Sequence, residues 1–189
     1  VPDLKAAVAK VQRLGFAIVT PAELPPAYTE KDGLAFIPDQ DTYVAFVMGP
    51  DGTKVELVEN RRMKDSIALH HVHFATHQVD EMRDWYVKVF GAKPGRRGAF
   101  EAADLPGVNL TYSGSATPVS GTRGRALDHI GFEVENLAAF VKRLAAHRIK
   151  VDAGSDPESP AEVSSVMFTD PWGTSIELTE GLGRYRVLH

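Results

Sequence analysis

Residues 170–180, DPWGTSIELTE, and residues 49–59, GPDGTKVELVE, are two versions of one sequence. Each places a turn before a short alternating run that carries a glutamate between two aliphatic residues. The identical positions recur at an offset of 121 residues: Pro50/Pro171, Gly52/Gly173, Thr53/Thr174, Glu56/Glu177, Leu57/Leu178 and Glu59/Glu180. Because a repeat shows which elements are equivalent, it also predicts which side chains come together.

A second repeat relates residues 69–76, LHHVHFAT, to residues 127–134, LDHIGFEV, and matches His71 with His129. Both segments alternate as strands do, and each leads into a helical pattern, over Val79–Phe90 and Leu137–Ala146. The repeated unit is therefore a strand, a helix and further strands.

The repeats divide the chain into three copies of a strand, helix and three strands, which predicts an α+β fold. Residues 67–114 and 125–181 are the second and third copies, 61–66 and 115–124 are linkers, and 182–189 are a tail. Residues 1–60 form a first copy without its opening strand, since Val1 aligns with Val134. We expect the chain to be a fragment or processed product of a longer, four-module protein, and a natural three-copy protein is the alternative.

Turn residues refine these boundaries. Gly91 and Pro94 predict that the helix of the second copy ends at Phe90. Four prolines between Pro21 and Gln40 predict a loop that replaces regular structure in the first copy. A short strand is expected over Ile149–Asp152 in the third copy.

The composition is that of a soluble globular protein. With 189 residues, 43% of them hydrophobic, and a net charge of −4, the chain can bury a core and offers no basic surface for nucleic acid. No apolar run approaches the roughly 20 residues that span a bilayer, so no membrane partner is expected. The absence of cysteine excludes thiol catalysis and Cys-zinc sites. We expect a cytoplasmic protein by default, and any N-terminal signal would lie outside this sequence.

The repeated unit, with a histidine in its first strand and a glutamate in its last, resembles the vicinal oxygen chelate superfamily. That superfamily contains glyoxalases, extradiol dioxygenases and bleomycin- and fosfomycin-resistance proteins, and the resemblance covers nearly the whole chain. It implies tandem βαβββ modules that pair into a cupped, barrel-like mixed sheet with helices outside. It also implies that the second and third copies hold a metal through His71, His129 and Glu177, with Asn109 at a fourth position.

Two imidazoles and one carboxylate suit a borderline divalent ion, Fe²⁺ or Mn²⁺ first and Zn²⁺ or Ni²⁺ second. With open coordination positions, such an ion binds a small substrate through two adjacent oxygens and acts as a Lewis acid. The expected cofactor is therefore one divalent metal ion, and the expected partner is a small molecule.

Asn109 bears on the reaction class. The resemblance places a base at this position in glyoxalases, and an amide has no useful basicity. A dioxygenase-like reaction is therefore the first interpretation and a glyoxalase-like lyase or isomerase the second, although the strand over residues 163–169 offers Met167 where extradiol enzymes carry a tyrosine. The third interpretation is a non-catalytic binding protein like the bleomycin-resistance members.

The remaining candidates surround the predicted metal. His73 lies two residues after His71 and so on the same strand face, which makes it the candidate catalytic acid or base; a structural histidine is the alternative. Asn109, Phe100 and Met167 are predicted to contact the substrate. Unpaired strand edges in the first copy favour association, for example as a homodimer.

Overall fold

The computed structural model describes residues 1–20, 29–31, 33–152 and 163–185. The helices are α1 (Leu4–Arg13), α2 (Val79–Phe90) and α3 (Leu137–Ala146), with short 3-10 helices at Pro38–Gln40 and Leu182–Tyr185. The strands are β1 (Ala17–Ile18), β2 (Thr29–Lys31), β3 (Leu34–Ile37), β4 (Thr42–Met48), β5 (Lys54–Val58), β6 (His71–Thr76), β7 (Lys93–Arg97), β8 (Phe100–Leu105), β9 (Val108–Gly114), β10 (His129–Glu133), β11 (Ser164–Thr169) and β12 (Ser175–Glu180). The chain divides into two compact units, Val1–Val72 and His73–His189.

The first unit is built on an antiparallel sheet of order β1-β4-β3-β2, with β5 also paired to β4. Helix α1 covers one face of this sheet and packs Leu4 and Val8 against Ala45. Phe46 packs against the separate core cluster of Ala35, Ile37, Val44 and Val58. Because Glu56 is the cross-strand partner of Phe46, its carboxylate lies on the face away from α1.

The described strands of the second unit form two sheets, of order β6-β9-β8-β7 and β10-β12-β11. Strand β10 is parallel to β12, whereas β11 is antiparallel to it. The predicted α+β class with mixed sheets is therefore confirmed, and the order β6, α2, β7, β8, β9 is a complete βαβββ sequence of elements.

An aromatic core fills the second unit beneath α2. Tyr86 is fully buried and contacts Phe74, with ring centroids 5.2 Å apart. Phe90, one turn later on α2, lies 5.0 Å from Phe132 of β10 and 6.4 Å from Phe168 of β11. Helix α2 thus packs against both sheets of the second unit: the sheet of β6 to β9, and the sheet of β10 to β12 that carries His129 and Glu177.

The first and third copies share an equivalent hydrogen bond between a glutamate after the last strand and the start of the helix. The carboxylate of Glu59, just after β5, accepts a hydrogen bond from the Leu4 N–H at the start of α1, at 3.3 Å. At the equivalent positions, Glu180 accepts from the Leu137 N–H at the start of α3, at 2.7 Å. Orphan N–H groups in the first turn of a helix need such acceptors. Each helix is therefore tied to the last strand of its own copy.

The helix boundaries predicted from the sequence are confirmed for α2 and α3, and Gly91 ends α2 in the left-handed conformation with φ 73°. The predicted loop over Pro21–Gln40 is wrong in its second half, where β2, β3 and a 3-10 helix form; residues 21–28 and 32 lie outside the described residues. The strand expected over Ile149–Asp152 is also wrong. That segment is irregular, and its only backbone contact with β11 among those described is the hydrogen bond from Asp152 N to Met167 O at 2.7 Å.

Within the described ranges, no helix combines the length and the apolar character that crossing a membrane requires.

Candidate metal centre

Strands β10 and β12 bring His129 and Glu177 together in the second unit. Their parallel register sets His129 beside Ser175 and Gly131 beside Glu177, so the two side chains are diagonal neighbours on one face. His129 Nε2 lies 3.4 Å from Glu177 Oε2, and the side chains are 40% and 29% exposed. The separation exceeds that of a good N–H···O hydrogen bond, and both groups remain accessible.

Asp128 fixes the orientation of the His129 ring. Its Oδ1 lies 3.0 Å from His129 Nδ1, and its Oδ2 accepts a hydrogen bond from Gly124 N–H. That backbone N–H, followed by the contact with His129, lowers the pKa of Asp128. When a carboxylate accepts a hydrogen bond from Nδ1–H, the lone pair is on Nε2, and metal-binding histidines usually have such a partner. Sequence reasoning missed Asp128, although its place directly before His129 was a usable signal.

The donor set fits a divalent ion. Two donor atoms each about 2.1 Å from one ion are roughly 3.0 Å apart in octahedral and roughly 3.4 Å apart in tetrahedral geometry. The Nε2 to Oε2 distance of 3.4 Å lies at the upper end of this interval. Imidazole nitrogen with carboxylate oxygen also matches the ligand preferences of Fe²⁺, Mn²⁺, Zn²⁺ and Ni²⁺.

Space for a ligand lies beside Glu177. On one side its cross-strand neighbour is Gly131, where an added Cβ would meet nothing within 4 Å. On the other side its partner is Met167 of β11, a predicted substrate contact that is half-buried. Glu177 therefore has a glycine on one neighbouring strand and a flexible thioether on the other. This leaves room for a ligand next to its carboxylate.

The turn before β12 is anchored by a buried carboxylate. Asp170 Oδ1 accepts hydrogen bonds from Trp172 N and Thr174 N, at 2.9 and 2.7 Å, and its Oδ2 accepts from the Tyr86 hydroxyl at 3.0 Å. Burial raises the pKa of Asp170, which these three donors oppose, and burial raises that of Tyr86 well above its usual value. These bonds fix where β12 begins, and therefore where Glu177 lies.

His71, the other predicted ligand, has both ring nitrogens engaged within the first unit. Its Nε2 lies 3.0 Å from Glu56 Oε2, and its Nδ1 lies 2.9 Å from His70 Nδ1. The His71 side chain is 5% exposed and that of Glu56 is 14% exposed. The partnership with Glu56 was not predicted from the sequence, which left Glu56 without a role.

His73, Phe100 and Asn109 lie in the second unit. His73 Nε2 is 3.0 Å from the Ser113 hydroxyl, and its ring meets Phe100 edge-on at 5.2 Å. Asn109 donates from Nδ2 to Asp104 Oδ1 at 2.7 Å and accepts from the Thr111 hydroxyl at 2.7 Å. Since both ends of the Asn109 amide have partners along the sheet, it forms part of a fixed polar network.

A family model for the Glyoxalase/Bleomycin resistance protein/Dioxygenase superfamily matches residues 68–178, more than half of the 189 residues. The chain belongs to this superfamily. Its members act on small molecules and usually bind a divalent metal, and the match includes His71, His129 and Glu177.

Solved structures agree with the superfamily fold. The chain is similar to the fosfomycin resistance protein FosX from Listeria monocytogenes, with 16% identity and a TM-score of 0.50, over 63% of this chain and 95% of that one. It is also similar to SMU.1112c, with 24% identity and a TM-score of 0.51, over 61% and 100% of the two chains. A search of curated proteins found no match. At these identities the likeness establishes the fold alone.

Proposed function

We propose that the protein is a metal-dependent enzyme that acts on a small substrate through two adjacent oxygens. One observation carries the proposal: His129 Nε2 and Glu177 Oε2 lie 3.4 Å apart, with the other ring nitrogen of His129 held by Asp128. A carboxylate behind an imidazole that faces a second carboxylate is the arrangement that metal-binding sites use.

His129 and Glu177 are the first two ligands, and His71 is the third ligand that the sequence predicts. To bind metal, His71 must exchange one of its present partners, Glu56 or His70, for the ion. Fe²⁺ or Mn²⁺ is the proposed ion, ahead of Zn²⁺ or Ni²⁺. When bound, the ion supplies Lewis-acid stabilisation for negative charge on the substrate oxygens.

The chain's own residues shape the rest of the site. The open space at Gly131 receives the substrate next to Glu177, and Met167 packs against it from the other side. His73 is the proposed acid or base, with Ser113 and Phe100 holding its ring. Phe100 and Asn109 complete the proposed substrate contacts.

A dioxygenase-like reaction on a vicinal diol is proposed before a lyase reaction. The Asn109 amide has no useful basicity, and its two ends are engaged by Asp104 and Thr111. A glyoxalase-like proton transfer would therefore lack a base at this position. A purely binding protein is disfavoured because it has no need of the Asp128–His129–Glu177 arrangement.

Metal analysis tests the proposal. Protein purified without chelators should contain close to one Fe²⁺ or Mn²⁺ per chain, and His129→Ala and Glu177→Gln should each lose most of it. His77→Ala is the matched control, because His77 is an exposed histidine of the same unit and should leave metal content unchanged. Apo protein that ignores added Fe²⁺, Mn²⁺, Zn²⁺ and Ni²⁺ would overturn the metal site.

Activity assays then separate the reaction classes. Oxygen uptake with a panel of catechols, on protein loaded with Fe²⁺, should show turnover that is lost in His129→Ala. Turnover of a methylglyoxal–thiol adduct without oxygen uptake would instead establish the lyase. Gel filtration across a concentration series tests the proposed homodimer.

A further inference from the structure

A cavity that is partly open to solvent lies within the first unit. It has a volume of about 480 Å³ and is lined by residues that include Phe36, Tyr43, Glu59, Arg61, Arg62 and His70. This volume falls within the usual range for sites that hold small molecules. Neither the proposed metal centre nor its substrate contacts use any of these side chains.

An aromatic pair forms part of the cavity wall. Phe36 and Tyr43 are cross-strand partners on β3 and β4, and their ring centroids lie 5.0 Å apart with the planes tilted by 49°. Tyr43 is 37% exposed, so part of its ring surface is open to a ligand. Aromatic side chains offer large contact areas at little cost in conformational entropy, and they favour planar, aromatic ligands.

The charges around the cavity leave one guanidinium for a ligand. Arg61 Nε donates to Glu59 Oε2 at 2.8 Å, and Glu59 Oε1 accepts from Leu4 N–H, so the Glu59 charge is balanced. Arg62 has its backbone fixed by a hydrogen bond to Asn60 Oδ1, and in the described part of the chain its guanidinium forms no ion pair. A guanidinium binds a carboxylate through two parallel hydrogen bonds.

Two further groups complete the recognition surface. Asp41 also lines the cavity, and its carboxylate can accept a hydrogen bond from a ligand hydroxyl. The His70 ring is held in place by its contact with His71, which in turn is held by Glu56. The wall is therefore ordered before any ligand arrives, which lowers the entropic cost of binding.

We propose that the first unit carries a binding site for a small aromatic carboxylate with a ring hydroxyl. The ring lies against Phe36 and Tyr43, the carboxylate pairs with Arg62, and the hydroxyl donates to Asp41. None of these three contacts involves a residue that is proposed to bind the metal.

Ligand-observed NMR titration with 4-hydroxybenzoate tests the site on the full chain, in buffer with a chelator that keeps the metal centre empty. Saturable binding is expected, and Arg62→Gln should weaken it about tenfold or more, as for loss of a charge-assisted hydrogen bond. Tyr43→Ala should also weaken it. Arg13→Gln is the matched control, because Arg13 is an exposed arginine of the same unit outside the cavity wall.

The neutral analogue 4-hydroxybenzamide sharpens the test. It should bind the wild type more weakly than the acid does, and Arg62→Gln should remove that preference. Circular dichroism of each variant shows whether the fold is retained. No saturable binding by the wild type, equal binding by folded Arg62→Gln, or loss of binding in His129→Ala would each overturn the proposal.

Discussion

Replacing Tyr86 by phenylalanine should destabilise the second unit. The Tyr86 hydroxyl is buried and donates to Asp170 Oδ2 at 3.0 Å, while the other carboxylate oxygen keeps its two backbone donors. Phenylalanine retains the ring packing and removes only this donor. The variant therefore measures what the bond contributes to the turn that leads into β12.

The expected loss is about 1–3 kcal/mol, the cost of leaving a buried acceptor without its partner. For a protein of this size, each kcal/mol corresponds to about 2–4 °C in melting temperature. The loss should depend on pH. Burial already raises the pKa of Asp170, and the Tyr86 hydroxyl opposes that shift, so removing the hydroxyl raises the pKa further.

The sign of the pH effect follows from this direction. An acid with a raised pKa in the folded state gives stability at low pH that is lost as the pH rises through that pKa. In Tyr86→Phe the loss of stability with rising pH should be larger, because the hydroxyl stabilises the ionised form of the Asp170 carboxylate. The destabilisation should be largest at neutral pH and should shrink below the pKa of Asp170.

Urea unfolding monitored by tryptophan fluorescence reports on this unit, since both tryptophans, Trp85 and Trp172, lie in it. The control is Tyr112→Phe. The Tyr112 hydroxyl is buried without a hydrogen-bond partner in the described structure, so its removal should be neutral or stabilising. Equal stability of Tyr86→Phe and wild type at pH 7, or a loss that does not shrink in acid, would refute the reasoning.

Four further substitutions probe the metal centre and the repeat. Asp128→Asn should weaken metal binding about 10- to 100-fold in a chelator competition assay, because it loosens the orientation of the proposed ligand imidazole. Glu56→Gln should leave metal content near that of the wild type, and a large loss on metal analysis would make Glu56 itself a ligand. Gly173→Ala should cost about 1 kcal/mol or more in urea unfolding, since φ is +90° and a Cβ would lie 2.8 Å from Gly121 Cα. Gly52→Ala, at φ +80° with nothing within 4 Å, is its matched comparison and should cost less.

The sequence predicted those parts of the fold that local periodicity and repetition determine. Helices α2 and α3 have the predicted boundaries because amphipathic spacing marks both helices and Gly91 ends α2. The segment from Pro21 to Gln40 was misjudged because its prolines outweighed Leu34–Ile37, a short strand held by pairing with β4. Strand pairing of this kind is tertiary and overrides local propensity.

Only part of the candidate site could be predicted from the sequence. The match with Glu56 in the repeat directed attention to Glu177, and the structure brings His129 beside it in the parallel register of β10 and β12; their role as metal ligands stays a prediction. The contact between His71 and Glu56 was not predictable, because it depends on which copies are neighbours in space rather than on spacing within a copy. The role of Asp128 was missed as well; its place directly before His129 suggests a contact but does not show which way the carboxylate points.

In the first and third copies, a glutamate after the last strand accepts a hydrogen bond from the first helix residue, Glu59 from Leu4 and Glu180 from Leu137, and this has a consequence for how such chains grow. Each of these hydrogen bonds joins the two ends of one copy, so a gene segment that is duplicated in tandem encodes both partners of the bond. The new copy needs no matching change in its parent to hold its helix in place. Evolution by addition of whole modules is then a small step, and divergence can be confined to the residues that face a ligand.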